Sequence, residues 1–533
     1  MSTSPADPLR PCQTTLVTEL PAAGTDGPVT ERVSAQNLAS ASAAVAQAVF
    51  VCASDVVVVG IADFERIAIA ARLAVGLRAP LLVGDDAGSS LLAYEIDRLA
   101  PTTVWFVGDD ITVDVPAFTE VELLGGDNTA LANEVNDRVD AGSEVAIPGG
   151  GGSDALRTTL AALEAGTGIT ASGPTGPAPT PLNPVPFLRA GPGSFGFAWL
   201  VDGASTPLAL AAGVAAIVTG GLMVTVDGDD LLSGDAGDVL QAMEPGRVQL
   251  LGGGAESSWQ LEVLLSGAEQ LPGGGFVLFP GKRLIALYGN PNTTSLGVLG
   301  EQDVDASVIR AKQLAAQYQT DDGVQAIPAF EIIATIAAGN AGDDGDYSNE
   351  MELDQLRIWV DTAGREGVYV ILDLQPGRTD FLTQAKLYEE LLLEAHVGLA
   401  LDPEWRLLPN ELPLRQIGHV EATEVNRVVD WLAALVRDNH LPQKLLLLHQ
   451  FQDQMLRDRN LIETPSELAV VIQMDGQGGI PDKYSTWNRI TTGWEGYGWR
   501  YGWKNFYDED IPGPIPPAEV LELVPGVVYV SYQ

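Results

Sequence analysis

The sequence predicts an α/β protein: an N-terminal α/β repeat module with parallel sheets, followed by a C-terminal (β/α)8 TIM barrel. Runs of Val and Leu alternate with amphipathic helical stretches, a pattern typical of parallel sheets covered by helices. The first half of the chain resembles itself at a constant offset. The second half contains eight short apolar strands spaced by helices, within roughly the 250 residues that a TIM barrel needs. A chain of 533 residues is also long enough for two to four domains.

The charge balance excludes one broad class of partner. The chain has 29 Lys plus Arg against 71 Asp plus Glu, a formal net charge of -42. Such a surface repels anionic polymers, so we predict no nucleic-acid partner. We interpret the acidity as a sign of solubility and habitat, and nothing in the sequence indicates an oligomeric state.

The ends of the chain and its cysteines bear on location. No run of eighteen apolar residues is free of Gly, Pro and charges, so we predict no transmembrane segment. The first residues, "MSTSPADPLRPCQTT", have no apolar signal core, so an exported form would have lost its signal peptide. The two cysteines, Cys12 and Cys52, could form one disulfide or remain two buried thiols. We expect an extracellular or cell-surface protein.

The N-terminal half is self-similar. We divide it into an extension, residues 1–28, and a module of three repeats, residues 29–280. The segment from Val56 is echoed from Ala198, and a weaker copy begins near residue 121. The matching positions share one register: Gly84, Asp85 and Asp86 with Gly228, Asp229 and Asp230, Pro101 with Pro245, and Gly108 with Gly252.

This pattern resembles the cell-wall-binding repeat type 2 modules of Gram-positive surface proteins. The resemblance rests on "ERVS" at Glu31 to Ser34, an alanine-rich helix, "PLLVGD" and "VWFVG". Where family members carry a fuller Gly-Ala-Asp-Arg opening, this chain has "VSAQNLAS". The resemblance implies that the module holds an anionic cell-wall polymer, for which local basic residues such as Arg72, Arg78 and Arg98 would be needed.

Two segments rich in Gly and Pro punctuate the chain. Residues 173–194 contain too many prolines for a helix or central strand, and we interpret them as a loop within the repeat module. The repeat pattern ends in "LPGGGFVLFPGKR", residues 271–283. We therefore predict a domain boundary there and assign residues 281–533 to the barrel.

Eight candidate strands follow this boundary. Between them lie helical stretches such as "DASVIRAKQLAAQY", "FLTQAKLYEELLLE" and "ATEVNRVVDWLAALVRD". The eighth strand closes the sequence, so a final helix is missing or is supplied by an earlier segment. The candidates are "LIALYG" (284), "AIPAFEII" (326), "GVYVILDLQ" (367), "VGLALDPEW" (397), "KLLLLHQF" (444), "AVVIQMDGQ" (469), "WKNFYDED" (503) and "GVVYVSYQ" (526).

Polar residues stand where these strands end. In TIM barrels the reacting groups gather at the C-terminal ends of the strands, so these side chains are candidate site residues. Each also has a structural interpretation, since strand-end polar groups cap helices and bind loop amides. Glu331 could be a paired buried charge, His449 a core side chain, and Asp508 part of a solvated acidic end. The candidates are Tyr288, Glu331, Asp373, Gln375, Asp402, Glu404, His449, Asp475, Gln477 and Asp508.

The fourth strand end carries the strongest signal. Residues two apart on a strand point the same way, so Asp402 and Glu404 would share one face at the barrel mouth. Neighbouring carboxylates raise one pKa, and glycoside hydrolysis needs such an acid beside a charged partner. We predict Glu404 as the acid and Asp402 as the residue that orients it or stabilises positive charge. Trp405 could stack on a sugar.

The run "GLALDPE", Gly398 to Glu404, resembles the chitinase-type signature and the Asp-x-Glu strand end of muramidase-type barrels. Ala400 stands where the chitinase pattern has its middle Asp. The resemblance therefore implies a glycosidase-like barrel that is not a chitinase. In that barrel Asp373, Asp475 and Trp487 would hold the sugar.

An aromatic segment is the most unusual patch of the chain. Residues 485–508 contain Trp487, Trp494, Trp499 and Trp503. We predict a loop over the barrel mouth that binds carbohydrate or acts as a lid. The alternative is a hydrophobic plug at the position of the missing helix.

Several other chemistries lack their motifs. Four histidines without HExxH and without a cysteine cluster argue against zinc, and we predict no metal and no cofactor, although a carboxylate site for Ca²⁺ or Mg²⁺ stays open. GxSxG is absent. Two functions remain: a cell-surface protein that attaches to a wall polysaccharide and carries a glycoside hydrolase-like barrel, or a non-catalytic adhesion protein with a degenerate sugar-binding barrel.

Overall fold

The computed structural model describes residues 13–16, 29–33, 37–61, 63–109, 111–147, 153–171, 186–187, 198–202, 206–226, 240, 247–251 and 257–533. It divides into two compact units, Met1–Ser266 and Gly267–Gln533. None of the helices in these ranges has the length and apolar character that crossing a bilayer requires. Several predicted features lie outside the described residues: Cys12, Ser34, Gly228 to Asp230, Pro245, Gly252 and most of the loop 173–194.

The N-terminal unit alternates strands and helices. Its strands are β1 (Thr15–Leu16), β2 (Val29–Val33), β3 (Phe50–Cys52), β4 (Asp55–Gly60), β5 (Leu81–Gly84), β6 (Thr103–Val107), β7 (Glu120–Leu124), β8 (Glu144–Ile147), β9 (Gly168–Ala171), β10 (Pro186–Phe187), β11 (Ala198–Asp202), β12 (Leu222–Val226) and β13 (Arg247–Leu251). Its helices are Leu38–Val49, Phe64–Leu77, Ser89–Leu99, Asn128–Arg138, Ser153–Ala165, Thr206–Thr219 and Ser257–Leu265.

The predicted parallel sheets are present in this unit. One sheet has the order β5-β4-β6-β7, all parallel, and another has the order β10-β12-β11-β13-β2, in which β10 alone is antiparallel. The two sheets share one arrangement: β4 lies between β5 and β6, and β11 lies between β12 and β13, so the first strand of each unit is flanked by the two that follow it. A further parallel pair joins β8 to β9.

Cys52 is disulfide-bonded.

The helix Phe64–Leu77 shows why the alanine-rich stretches pack here. The Asp63 side chain accepts a hydrogen bond from the Arg66 amide at 2.7 Å and caps the helix, which ends at Arg78 in the left-handed conformation. Its buried alanines keep the helix close to strands made of Val and Leu. Because both faces of those strands are covered, their sequence is continuously apolar and does not alternate.

The C-terminal unit is a closed barrel of eight parallel strands, so the predicted (β/α)8 fold is confirmed. The barrel order is β14-β24-β23-β22-β20-β18-β17-β15, and β14 also pairs with β15. Its strands are β14 (Lys282–Gly289), β15 (Gln325–Ala337), β17 (Tyr369–Leu374), β18 (Val397–Leu401), β20 (Lys444–Gln450), β22 (Leu468–Met474), β23 (Arg500–Asn505) and β24 (Val527–Tyr532); the short strands β16 (Ser348–Glu350), β19 (Val420–Glu421) and β21 (Leu456–Arg457) lie outside it. Its helices are Val304–Ala316, Leu353–Glu366, Phe381–Leu387, Glu389–Leu392, Ala422–Asp438, Ile480–Thr491 and Pro517–Leu521.

Side-chain alternation fills the barrel and then positions its polar residues. Apolar side chains at every second position of the strands form one buried cluster, which includes Ala286, Ala329, Tyr369, Ala400 and Leu447. Two residues further along stand Tyr288, Glu331 and His449 on their strands, and Asp402 directly after the end of β18. The packed layer is therefore followed, toward the C-terminal ends, by a polar one.

A short segment closes the other end of the barrel. Leu271, Leu278 and Phe279 belong to the same buried cluster as the first inward residues of the strands, such as Leu284. The Leu278 amide donates to the Gln443 side chain at 3.0 Å. We call residues 271–279 the bottom plug.

The predicted aromatic loop is shorter than expected: within residues 485–508, only 492–499 and 506–508 lie outside a helix or strand. Residues 485–508 contain the end of the helix Ile480–Thr491 and the whole of β23. Trp487 is 2% exposed, and its ring packs edge-on against Tyr501 and Trp503. Trp487, Tyr501 and Trp503 thus pack between a helix and a strand, away from solvent, whereas the half-buried Trp494 lies in the turn that joins these elements. The alternative interpretation, a hydrophobic filling, fits this geometry.

Candidate functional site

A pocket of about 490 Å³ opens at the C-terminal ends of the barrel strands. Seven of the predicted site residues line it, together with apolar and aromatic side chains from the loops. Such a mixture of an apolar wall with a few convergent polar groups is typical of ligand sites. The polar and aromatic lining residues are Tyr288, Gln375, Asp402, Glu404, Trp405, Phe451, Asp475, Gln477, Thr486, Lys504, Phe506, Glu509 and Gln533.

A histidine links two carboxylates beneath the pocket. The Nε2 atom of His449 lies 2.7 Å from Glu331 Oε1, and its Nδ1 atom lies 2.6 Å from Asp475 Oδ2. Tyr529 donates to the other oxygen of Glu331 at 2.7 Å. Both ring nitrogens therefore face carboxylates, an arrangement that suits the protonated imidazolium, in which both nitrogens are donors.

Asp373 lies beside this chain of contacts. Its Oδ2 atom accepts a hydrogen bond from the Tyr288 hydroxyl at 3.0 Å, and Gln375 reaches the same hydroxyl at 3.4 Å. The Oδ1 atom of Asp373 lies 3.9 Å from His449 Nε2 and has no hydrogen-bond partner. One oxygen of a fully buried carboxyl is thus left unsatisfied, which favours its protonated form.

Lys504 is a residue of the candidate site that sequence reasoning missed. It projects from β23, its Nζ atom lies 3.2 Å from Asp475 Oδ1, and it stands 3.5 Å from the centre of the Tyr288 ring. The sequence did contain a signal, because a lysine inside an otherwise buried barrel strand needs an anionic partner. Tyr529, two positions before the inward Ser531 on β24, was not predicted, because a tyrosine within an apolar strand looks like an ordinary core residue.

Asp402 and Glu404 lie together, but not for the predicted reason. The strand β18 ends at Leu401, and Pro403–Trp405 form one turn of 3-10 helix. Asp402 caps this turn, its Oδ1 atom accepting from the Glu404 amide at 3.3 Å. Strand alternation therefore does not apply to this pair. Proline at the first position of the turn ends the strand, and both side chains reach the pocket from the turn.

Burial raises the pKa of three carboxyl groups of the site. Desolvation, and then the nearby charge of Asp475, raises the pKa of Glu404 to about 7. Desolvation likewise raises the pKa of Asp373 to about 7 and holds that of Asp402 well above its ordinary value. At neutral pH the pocket therefore contains carboxyl groups that carry protons.

Asp475 behaves in the opposite way. Although burial opposes ionisation, the charges of Lys504 and His449 lower the pKa of Asp475. The pKa values of both partners rise in return: burial disfavours their charged forms, but Glu331 and Asp475 outweigh it at His449, and Asp475 outweighs it at Lys504. The site thus pairs an ionised carboxylate with two cations and places beside them three carboxyl groups whose pKa values are raised.

Two residue triplets could hold a metal ion among the described part of the chain. They are Glu331, Asp373 and His449, and Asp402, His449 and Asp475, each with ligand atoms within 4.8 Å of one another. Both triplets depend on His449, whose two nitrogens already contact carboxylates, and the Lys504 ammonium lies against Asp475. A cation would have to displace these contacts and meet a second positive charge, so the donor set fits a metal poorly.

The predicted site residues fall into three groups. Glu404, Asp402, Tyr288, Gln375, Trp405, Asp475 and Gln477 line the pocket. Glu331, Asp373 and His449 are fully buried beneath it. Trp487 and Asp508 are not brought to the pocket: Trp487 is packed between a helix and a strand, and Asp508 is exposed, while its neighbour Glu509 reaches the lining.

Comparisons with known proteins give no family for this chain: no family model and no curated protein matches it. Among solved structures, Cwp6 from Clostridium difficile is 12% identical with a TM-score of 0.36, over 70% of this chain and 63% of that one. Cwp8 from Clostridium difficile is 15% identical with a TM-score of 0.33, over 42% and 49%. A cellulase–inhibitor complex is 12% identical with a TM-score of 0.28, over 49% and 84%. The chain thus spans less than two thirds of the two Cwp proteins.

Proposed function

We propose that the barrel is a glycoside hydrolase and that Glu404 is its proton donor. The observation that carries this proposal is a carboxyl group that stands in the wall of an open pocket and has its pKa raised to about 7. A group with this pKa is protonated in a useful fraction at neutral pH and can still release its proton in the transition state. Glycoside hydrolysis requires such an acid at the leaving oxygen.

Asp475, rather than Asp402, supplies the negative charge of the proposed mechanism. Burial holds the pKa of Asp402 well above its ordinary value, which favours the neutral carboxyl group as a hydrogen-bond donor or acceptor for a substrate. Asp475 lines the same pocket as an ionised group fixed by Lys504 and His449. As positive charge develops at the sugar, this carboxylate stabilises it, while Trp405 offers an aromatic face to the ring.

We further propose that the N-terminal unit attaches the protein to a cell-wall polymer. Its two larger parallel sheets share one strand arrangement, which supports copies of a single repeated unit, as the resemblance to cell-wall-binding modules implies. Attachment would hold the barrel next to a polysaccharide, and the protein would act at the extracellular or cell surface. Pull-down of the N-terminal unit with purified cell walls, before and after extraction of their anionic polymers, tests this part.

The enzyme proposal is tested by screening peptidoglycan, chitin and other glycans with the wild type and Glu404→Gln. Glutamine keeps the size and hydrogen bonds of the side chain but cannot donate the catalytic proton. We expect turnover to fall by about 10² to 10⁴ while glycan binding persists. The wild-type rate should decline about tenfold per pH unit above pH 7, as Glu404 loses its proton, and this limb should vanish in the variant.

A matched control is Glu389→Gln, the same chemical change on an exposed helical residue. It should leave turnover unchanged. If the wild type binds a glycan but cleaves none of those tested, the enzyme proposal fails.

That result would favour the second candidate, a non-catalytic surface protein whose barrel binds sugar. One observation supports it: Ala400 is fully buried in the apolar barrel cluster, at the position where the chitinase pattern has an aspartate. No carboxylate stands there to assist a substrate group. Retained binding to a wall polysaccharide, with loss of binding in Trp405→Ala, would support this function.

A further inference from the structure

A second pocket, of about 550 Å³, lies next to the first at the barrel mouth. The side chain of Phe451, at the end of β20, lines the first pocket, and its carbonyl oxygen accepts a hydrogen bond from Arg489 Nη2 at 2.7 Å. Arg489 lines the second pocket, so the segment at Phe451 separates the two. The second pocket is lined by Glu421, Gln450, Asp453, Leu456, Arg457, Asp458, Arg459, Asn460, Arg489 and Trp494.

Arg459 forms the buried part of this pocket. It is 4% exposed, its Nη1 and Nη2 atoms donate to Gln450 Oε1 at 2.6 Å and to the Ile490 carbonyl at 2.8 Å, and its Nε atom has no partner. The guanidinium lies 4.0 Å from the centre of the Trp494 ring. Burial lowers the pKa of Arg459 to about 10, which still leaves it charged at neutral pH.

The charge of Arg459 is not neutralised by a direct ion pair among the described residues. Both of its hydrogen-bond acceptors are neutral, and an aromatic face compensates a buried cation only in part. Burying a cation without an anion is costly, unless an anion arrives from outside the chain. The pocket is thus built around a positive charge.

Two further arginines stand at the rim. Arg457 and Arg489 are each 46% exposed at their side chains, and each contacts one carboxylate, Glu421 at 3.1 Å and Asp453 at 4.0 Å. With Arg459 they set three cations against the carboxylates of Glu421, Asp453 and the exposed Asp458. Equal numbers of basic and acidic side chains are unusual in a chain with 29 basic and 71 acidic residues. An anion is therefore repelled less at this pocket than over most of the protein surface.

We propose that this pocket binds a carboxylate-bearing sugar, a unit of the polymer that occupies the neighbouring pocket. Arginine guanidinium groups bind carboxylates through paired hydrogen bonds, and Trp494 provides a ring surface for the sugar. The sugar part of the proposal rests on the proposed function; binding of the carboxylate does not. The site would make the protein select acidic over neutral glycans.

The test is direct binding of matched monosaccharide pairs to the full chain, followed through the indole N–H resonance of Trp494. Glucuronic acid is compared with glucose, and N-acetylmuramic acid with N-acetylglucosamine, so that the two pairs distinguish a ring carboxylate from a lactyl carboxylate. We expect at least one acid to bind about tenfold more tightly than its neutral partner, with an affinity that falls as salt is added.

Two rim variants and a control locate the binding. Arg457→Gln and Arg489→Gln remove exposed charges, so both proteins should fold, and each should weaken binding of the acid by about tenfold. Arg427→Gln, a change at an arginine that is 54% exposed and contacts one carboxylate at 3.7 Å, should have no effect. Equal affinity for acid and neutral sugars, or binding unchanged in both rim variants, overturns the proposal.

The same measurement in Glu404→Gln separates the two proposals. Acid binding at the second pocket should survive this substitution unchanged. If no glycan is cleaved and the acid still binds, the proposed function fails and the second pocket stands. If glycans are cleaved and neither acid shifts the Trp494 resonance, the hydrolase stands and the second pocket falls.

Discussion

At the scale of single residues, the chemistry of the barrel mouth is set by unequal burial of similar groups. Glu404 and Asp475 are both carboxyl groups of one pocket, yet desolvation raises the pKa of the first, whereas Lys504 and His449 outweigh burial at the second and lower it. The difference arises because Asp475 has two cationic partners at hydrogen-bond distance and Glu404 has none that close among the described residues. A carboxyl group with a raised pKa and an ionised carboxylate therefore line the same pocket.

Asp373 provides a residue-scale test of this electrostatic picture. Burial raises its pKa from an ordinary value of 3.8 to about 7. Between about pH 4 and 7 the folded state holds a proton that the unfolded state has released, so wild-type stability falls as the pH rises through this window. Asp373→Asn cannot ionise, and its stability advantage over the wild type should grow by on the order of 3 kcal/mol across the window.

Chemical denaturation of both proteins at several pH values measures this difference. The variant retains an oxygen that can accept from Tyr288, so its fold should be preserved. A stability difference that does not change between pH 4 and 7 would show that Asp373 is ionised throughout.

Most of the polar layer could be predicted from the sequence, because a polar residue directly after an apolar run marks the end of a barrel strand. Asp373, His449 and Asp475 each follow an apolar run, and parallel strands bring such ends together. Sequence reasoning did not reach Lys504 and Tyr529, because both lie within their strands and not at the polar ends that mark the other site residues. Lys504 on β23 meets Asp475 because β22 and β23 pair side by side, with Met474 opposite Trp503, so the residues that follow each of these two are neighbours.

At the scale of elements, the helix Ile480–Thr491 shows where the sequence pattern misled. Its aromatic residues suggested an exposed sugar-binding loop, but Trp487 donates its indole N–H to the Val524 carbonyl and packs on β23. Tryptophan serves both purposes with the same ring, so composition cannot separate a binding surface from a packed one. Helix and strand limits, in contrast, were well predicted where the apolar spacing was regular, as in Ala422–Asp438.

Trp487→Ala and Trp405→Ala should therefore behave in opposite ways. Removing the buried Trp487 ring should destabilise the protein by about 3 to 5 kcal/mol and leave glycan affinity intact in the protein that remains folded. Removing the half-buried Trp405 ring, which lines the pocket, should weaken glycan binding with a much smaller loss of stability. Denaturant unfolding and glycan binding, measured on both variants, check the pair; a loss of affinity confined to Trp487→Ala would reverse the assignment.

At the scale of the whole molecule, two compact units share one chain, and their division falls between Ser266 and Gly267. The composition of residues 271–283 suggested a linker, yet Leu271, Leu278 and Phe279 belong to the apolar cluster of the barrel. Glycine and proline mark a turn, but they do not say which unit the turn packs against. We propose that the functional barrel domain begins at Gly267 rather than at 281.

Two fragments test this boundary. Residues 267–533 should fold alone and keep the glycan binding of the full chain, because they contain a complete apolar core. Residues 281–533 lack the bottom plug and expose the first layer of the barrel. Losing three large apolar side chains from a buried cluster should cost on the order of 5 kcal/mol. Equal unfolding midpoints for the two fragments would place the plug outside the barrel's core.

The bottom plug also affects how the ring protons of His449 can exchange with bulk water. With Leu271, Leu278 and Phe279 filling one end, we expect the ring protons of His449 to exchange with bulk water through the pocket at the other. A sugar seated in that pocket would stand in their path and lengthen their exchange lifetimes. We expect the downfield imidazole N–H signals to be broad in the free protein and to sharpen on binding. The N–H signals of His449, hydrogen-bonded to Glu331 and Asp475, would thus report whether a ligand occupies the pocket, without a label and without turnover.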